Sequence, residues 1–138
     1  GGSRMFQISQ ADGKFAAHEL WFSKKMRIHH ANAVRIGDTI YGSSGDFGPA
    51  FFMAVNAKTG ELLWRDRSFS KATTLLVGDK LIILDEDGKL ALATPTAEGL
   101  TIHATAEVAK RTAWAVPTLV GTKLYIRDRK TISAFDLG

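Results

Sequence analysis

Short apolar runs alternate with turn residues along the whole chain. Three of these runs surround a glycine that has strand-forming residues on both sides: Val34–Tyr41, Leu75–Ile82 and Leu119–Tyr125. A glycine followed by Asp or Thr between two such runs predicts a tight hairpin turn. The three glycines, Gly37, Gly78 and Gly121, recur at intervals of about 40 residues, which indicates an internal repeat.

A second marker recurs with the same period. Ala54, Ala93 and Ala134 each begin a similar short segment, and Trp21 precedes Trp64 by a comparable interval. A period near 40 residues is typical of propeller blades and also of paired-helix arrays. Runs such as Leu81–Leu84 are too short and too rich in β-branched residues for helices, so the pattern favours strands.

The repeats predict an all-β chain that folds as a β-propeller of four-stranded antiparallel blades, about three per chain. Two blades are expected to be complete, and the ends are expected to hold partial ones. Residues 1–4 are interpreted as a linker or cloning scar, and residues 5–138 as the partial propeller. Its expected boundaries are 5–23 for a partial blade, 29–67 and 71–108 for complete blades, and 113–138 for a second partial blade.

One repeat carries a recognisable motif, which consists of Ala54, Asn56, Thr59, Gly60 and Trp64. This spacing resembles the tryptophan-docking motif of the quinoprotein-like (PQQ-like) propeller repeat family, a WD40-like architecture. The resemblance implies that the Thr-Gly turn joins the third and fourth strands of a blade and that the tryptophan packs between blades. Asn56 replaces the usual Asp but can cap the turn with its side-chain oxygen. The middle copy is degenerate, with Pro95, Glu98 and His103 at the motif positions.

The resemblance predicts a fold more strongly than a chemistry. The family spans pyrroloquinoline-quinone dehydrogenases, the outer-membrane protein assembly lipoprotein and many exported proteins, most of which bind no quinone. The resemblance therefore implies the C-terminal blades of a larger propeller and a periplasmic or extracellular location. It implies no cofactor, because sites are placed on folds independently of the fold itself.

Composition excludes several classes of function. The chain has 138 residues, a formal net charge of +4 and no cysteine, so disulfides, thiolate zinc sites and a Cys nucleophile are excluded. The basic residues are scattered along the sequence, which favours an ordinary charged surface over nucleic-acid binding. No apolar run reaches about 18 residues, so we expect no membrane insertion.

Acidic and histidine clusters offer little catalytic chemistry. Asp85 to Gly88 resembles the start of a calcium loop but lacks the remaining ligands, so an acidic hairpin turn is the better interpretation. His29 and His30 are adjacent, and neighbours on a strand point to opposite faces. No Ser/His/Asp arrangement has supporting spacing. We therefore predict no catalytic, cofactor-binding or metal-ligating residue, and no enzyme activity.

Equivalent positions of the repeats suggest a binding surface instead. Seven residues before each turn glycine are His30, Lys71 and Trp114, and ten residues before two of them are Arg27 and Arg111. In a propeller these positions belong to the loops that enter the innermost strands, near the central channel. Variable polar and aromatic residues there are typical of a binding rim. The alternative is that these five residues only solvate the mouth of the channel.

The sequence thus predicts a non-catalytic scaffold that presents loops to a protein or a small-molecule ligand. Both ends hold incomplete blades, and unpaired strand edges promote association. We expect ring closure through a homodimer, another ring-closing oligomer, or a complementary fragment of the parent propeller. The alternative function is part of a quinone-dependent dehydrogenase whose catalytic groups lie outside this chain.

Overall fold

The computed structural model describes residues 1–138 as thirteen β-strands without a helix. An N-terminal hairpin contains β1 (Ser3–Ala11) and β2 (Lys14–Ser23). The first blade contains β3 (Ala33–Ile36), β4 (Thr39–Ser44), β5 (Phe51–Asn56) and β6 (Leu62–Asp66). The second blade contains β7 (Thr73–Val77), β8 (Lys80–Leu84), β9 (Lys89–Pro95) and β10 (Leu100–Glu107). The third blade contains β11 (Thr118–Val120), β12 (Lys123–Arg127) and β13 (Ile132–Asp136).

Each sheet is an antiparallel meander, in which every strand pairs with its neighbour along the chain. The turns between the first two strands of the blades contain Gly37, Gly78 and Gly121, with φ of 57°, 61° and 59°. A positive φ is strained for other residues, which explains the recurring glycine. β1 begins at Ser3 and therefore includes two residues that the sequence pattern assigned to a linker. The structure contains no helix that could cross a membrane.

Strand β8 shows how alternating residues build two cores. Leu81 and Ile83 are fully buried in a cluster shared with the first blade, which includes Phe52. Leu84, from the opposite face of the strand, is buried against Leu124 of the third blade. Because successive side chains of a strand point to opposite faces, one apolar run supplies both interfaces of the second blade.

The innermost strands of the first and second blades are joined by a side-chain amide. Asn32 Nδ2 donates a hydrogen bond to the carbonyl oxygen of Thr74 at 2.8 Å. Thr74 N donates in return to Asn32 Oδ1, also at 2.8 Å. The amide thus replaces the pair of backbone hydrogen bonds that a neighbouring strand would provide.

Two indoles join adjacent blades on their outer side. Trp21 of the N-terminal hairpin donates its Nε1–H to the carbonyl oxygen of Ala57 in the first blade, at 2.9 Å. Trp64 of the first blade donates in the same way to Thr96 of the second blade, at 2.9 Å. At the next interface His103 Nε2 lies 2.7 Å from Thr94 Oγ1, within its own blade. Two of the three interfaces therefore have an indole bridge.

The N-terminal hairpin and the third blade, the first and last sheets of the chain, have exposed apolar side chains, and the third blade also has an exposed strand edge. Strand β13 pairs with β12 and with no other strand. Large apolar side chains are exposed on the third blade and on the N-terminal hairpin, namely Val120, Ile132, Phe6, Ile8 and Phe15. The third blade and the N-terminal hairpin are therefore the two sheets with an open side.

Candidate binding site at the channel rim

The turn between β8 and β9 directs one acidic side chain toward the rim. Asp85 caps the turn, because its Oδ1 accepts hydrogen bonds from the backbone N–H groups of Asp87 (3.1 Å) and Lys89 (3.0 Å). Glu86 is not needed for capping, and only 6% of its side chain is exposed. The local turn geometry therefore frees the Glu86 carboxylate for contacts with other loops.

Glu86 connects the loops that enter the second and third blades. Its Oε1 accepts a hydrogen bond from Ser70 Oγ at 3.1 Å and lies 3.5 Å from Lys71 Nζ. Its Oε2 accepts the indole N–H of Trp114 at 3.3 Å. Its backbone carbonyl also accepts from Ala113 N at 3.0 Å. One residue thus fixes the positions of both entry loops.

Hydrogen bonding keeps Glu86 ionised. Burial alone would raise the pKa of Glu86, but the hydrogen bonds from Trp114 and Ser70 and the charge of Lys71 outweigh burial and lower that pKa below its ordinary value of 4.5. Arg111 adds a more distant ion pair at 4.0 Å and a second one with Asp87 at 3.5 Å. A buried carboxylate with these partners is satisfied as an anion.

The aromatic part of the rim joins the first and third blades. The rings of His30 and Trp114 stack with centroids 4.3 Å apart and planes inclined by 24°. His30 Nε2 donates a hydrogen bond to the carbonyl oxygen of Lys71 at 3.1 Å, which leaves Nδ1 as a buried atom without a partner. His29 packs edge-on against His30 with centroids 5.6 Å apart.

The environment of His30 favours the neutral imidazole. Burial is the main cause that lowers the pKa of His30 below 6.5, and the neighbouring His29 acts in the same direction. The hydrogen bond to the Lys71 carbonyl opposes this effect only in part. The neutral ring then offers Nδ1 as a hydrogen-bond acceptor.

The structure brings together four of the five expected rim residues. Lys71, Arg111 and Trp114 approach the Glu86 carboxylate, and His30 joins them by stacking on Trp114 and by its hydrogen bond to the Lys71 carbonyl. Arg27 lies apart from this group and pairs with Asp46 at 3.6 Å. The ring of Phe47 is 6.5 Å from that of His29, so the two parts of the rim are neighbours. We call His30, Lys71, Glu86, Arg111 and Trp114 the rim cluster.

Sequence reasoning did not identify Glu86 as a rim residue. A signal was present, because the turn contains three acidic residues and one is enough to cap it. The partners of Glu86 come from the loop that precedes β7 and from the loop that follows β10. No group of three or more His, Cys, Asp or Glu side chains is arranged to hold a metal ion.

The residues of the predicted docking motif form a compact turn. Asn56 Oδ1 accepts hydrogen bonds from the backbone N–H groups of Lys58 (2.8 Å) and Thr59 (3.2 Å). Gly60 has a φ of 73° and packs directly against the Trp21 ring. Ala54, fully buried, lies opposite Trp64 in the β5–β6 ladder. The turn is therefore both the end of a hairpin and the surface on which the preceding indole rests.

Comparison with known proteins identifies the fold. The chain is similar to the crystal structure of BamB from Moraxella catarrhalis, with a TM-score of 0.62 and 17% sequence identity over 92% of this chain and 42% of that one. No family model matches the sequence, and no curated protein matches it. The fold prediction is confirmed: the chain is an all-β propeller of antiparallel blades, about three in number. It spans about two fifths of the length of that structure.

Proposed function

We propose that this chain is a non-catalytic module of a quinoprotein-like propeller and acts as a binding or assembly scaffold. The rim cluster carries this proposal, because entry loops of three blades supply its side chains and the buried Glu86 holds two of these loops together. Such pre-organised loops on a rigid sheet are typical of recognition surfaces. The ligand is a protein or a small molecule, and the family resemblance favours a periplasmic or extracellular location.

Site-specific photocrosslinking tests the scaffold function in cells. A benzoyl-phenylalanine in place of Trp114, which is 46% exposed, is expected to trap a partner through the rim. The matched control replaces Lys58, an exposed residue in a turn at the opposite end of the first blade. Adducts from position 114 alone support the rim as the binding face. Equal adducts from both positions, or none from either, contradict the proposal.

We further propose that the open blades are completed by association. Strand β13 has an unpaired edge, and the N-terminal hairpin has exposed apolar side chains. A propeller interface needs both a strand edge that can be paired and an apolar sheet face that can be covered, so these two surfaces can complete each other. A second copy of the chain can supply both. A larger ring or a complementary fragment of the parent propeller would cover the same surfaces.

Sedimentation equilibrium measures this association directly. A closed homodimer has twice the 15.0 kDa mass of the chain. Replacing the exposed Phe6 and Ile8 of β1 by Ser is expected to weaken the dimer, while the same change at Phe47, an exposed residue outside the open sheets, leaves it intact. A folded monomer at high micromolar concentration contradicts closure by a second copy.

The alternative function is part of a quinone-dependent dehydrogenase. Reconstitution with pyrroloquinoline quinone and calcium distinguishes it from the scaffold function. The scaffold function predicts no cofactor absorbance that stays with the protein during gel filtration. Stoichiometric retention of the quinone would favour the dehydrogenase.

A further inference from the structure

An open groove lies where the second and third blades meet at the rim end of the sheets. Its volume is about 960 Å³, and its walls are the loop 107–112 after β10 and the turn 128–131 between β12 and β13. A second depression of about 510 Å³ shares Thr112, Asp128 and Arg129 with it and extends to Trp114. The two form one continuous surface, which we call the basic groove.

The charge of the basic groove is strongly positive. Its cations are Lys110, Arg111, Arg127, Arg129 and Lys130, and its acids are Glu107 and Asp128. The Asp128 carboxylate is occupied by the protein itself, because it accepts hydrogen bonds from the backbone N–H groups of Lys130 (2.8 Å), Thr131 (2.7 Å) and Lys110 (3.2 Å). Asp128 thus organises the turn, and the five cations against two acids leave the basic groove with a net excess of three positive charges.

Four of these five cations have no acidic oxygen within 4.0 Å of their charged nitrogens. Arg111 pairs with Glu86 and Asp87, whereas Lys110, Arg127, Arg129 and Lys130 form no ion pair. These four cations come from two neighbouring segments and line one concave surface. Unpaired like charges around one concave surface repel each other, and an anionic ligand relieves that repulsion when it binds.

We infer that the basic groove binds an acidic peptide segment of a partner protein. This inference rests on the scaffold function proposed above and names the chemistry of its ligand. Carboxylates spaced along an extended peptide match cations distributed along a groove better than a single compact anion does. The exposed Trp114 at one end offers a contact for one aromatic or apolar side chain of the same peptide.

A single-stranded nucleic acid fits the basic groove less well. Sites for single strands combine cations with several aromatic side chains, on which successive bases stack. Trp114 is the one aromatic residue that lines the basic groove. The arrangement therefore favours peptide carboxylates over a phosphate backbone with stacked bases.

Fluorescence anisotropy with a labelled glutamate-rich peptide tests the inference. The probe contains one phenylalanine, and its reference is the same peptide with glutamine in place of glutamate. The triple variant Lys110→Ala/Arg129→Ala/Lys130→Ala is expected to bind about tenfold more weakly, because each exposed charge contributes modestly. The single reversal Lys130→Glu gives a second measurement that preserves the size and solubility of the chain.

A charge-matched control separates the groove from the overall charge of the protein. The variant Lys14→Ala/Lys58→Ala/Lys80→Ala removes the same number of cations, all from turns or strand ends away from the basic groove. Unchanged binding by this control, together with weaker binding by the groove variants, supports the inference. Equal weakening of both variants overturns it, as does equal binding of the glutamine peptide.

Three further outcomes test the choice of ligand and separate this inference from the scaffold function. Tighter binding of a single-stranded oligonucleotide than of the glutamate peptide overturns the choice of ligand. Absence of any binding of the glutamate peptide overturns the groove proposal, while crosslinks from position 114 would still support the scaffold function. Absence of both peptide binding and crosslinks overturns the two proposals together.

Discussion

His30 and Trp114 stack face to face with ring centroids 4.3 Å apart, although one residue enters the first blade and the other enters the third. Lys71, which enters the second blade, accepts the His30 hydrogen bond through its carbonyl and approaches Glu86 with its ammonium group. The three entry loops therefore converge on one point. Substitutions at this point act on the rim, and substitutions at the indole bridges act on the packing of the blades.

Replacing Glu86 by glutamine is expected to destabilise the rim and the protein. The variant loses a carboxylate that accepts two hydrogen bonds and faces Lys71, and the expected loss in the free energy of unfolding is about 1–3 kcal/mol. Urea unfolding of Glu86→Gln measures this loss. Glu98→Gln, at an exposed position whose side chain accepts no hydrogen bond, is the control and is expected to match the wild type.

The difference in the free energy of unfolding between the wild type and Glu86→Gln should become smaller as pH falls. Because the folded-state pKa of Glu86 lies below 4.5, its charge contributes stability above about pH 4.5, and this contribution is lost as pH falls through the folded-state pKa. The gap between the wild type and Glu86→Gln should therefore narrow toward acid. A gap that is constant from neutral pH to pH 3 would contradict this assignment.

We expect His30 to cause a second pH dependence of folding stability, at higher pH than that of Glu86. Burial lowers its folded-state pKa below 6.5, so the unfolded chain binds more protons in the window between the folded-state pKa and 6.5. Stability is expected to fall as pH decreases through that window, and His30→Gln should reduce the fall. Urea unfolding of the wild type and of His30→Gln across this window measures the difference, and an unchanged slope in the variant would contradict the assignment.

Removing the Trp64 side chain is expected to uncouple the first and second blades. Trp64→Ala loses a large apolar contact with Phe52 and the hydrogen bond to Thr96, and a cost of about 3 kcal/mol is expected because the ring is only partly buried. Trp64→Phe loses mainly the hydrogen bond and should cost about 1 kcal/mol. A loss below about 1 kcal/mol for Trp64→Ala would show that the ring does not hold the blades together.

A methyl group at Gly60 is expected to displace Trp21. A Cβ at this position lies 2.6 Å from Trp21 Cε3, which is closer than packed atoms allow. Gly37 is a matched control, because its φ is also positive but a Cβ there meets nothing within 4 Å. Gly60→Ala should accelerate hydrogen exchange in the N-terminal hairpin, whereas Gly37→Ala should not. Equal exchange in the two variants contradicts the indole bridge.

Calcium, zinc and ATP are expected to leave the melting temperature unchanged. No set of side chains is arranged to ligate a metal, and the glycine-rich segment Gly42–Gly45 lies at the end of strand β4 and opens no helix. A ligand at 100 times its dissociation constant would stabilise the chain by about 2.7 kcal/mol, a change that thermal scanning detects readily. A rise that depends on the concentration of any of the three compounds would reveal a site.

The sequence pattern was sufficient to predict the hairpins and strands, because these depend on residues close together in the chain. The strand runs around Gly37, Gly78 and Gly121 fold as hairpins because a positive φ is needed at each turn and glycine allows it. The alternation of Leu81 and Ile83 with the residues between them similarly determines the two buried faces of β8.

The rim could be predicted only in part. Position within the repeat indicated His30, Lys71 and Trp114, because equivalent residues of successive blades point to the same end of the propeller. Glu86 required knowledge of how the loop after β10 returns across the turn that follows β8. The scattered basic residues likewise gave no sign of the basic groove, since Lys110 and Lys130 come from separate segments that only the packing of the blades unites.

The two indole bridges have a consequence for the order in which the sheets become stable during synthesis. Each indole binds a carbonyl that comes later in the sequence, 36 residues after Trp21 and 32 residues after Trp64. A blade made of adjacent hairpins can form its own ladders as soon as it leaves the ribosome. Its outer strand, however, is secured only when the following blade emerges. The N-terminal hairpin and the first blade thus each depend on the blade translated after them, whereas the second blade has no such bridge to the third.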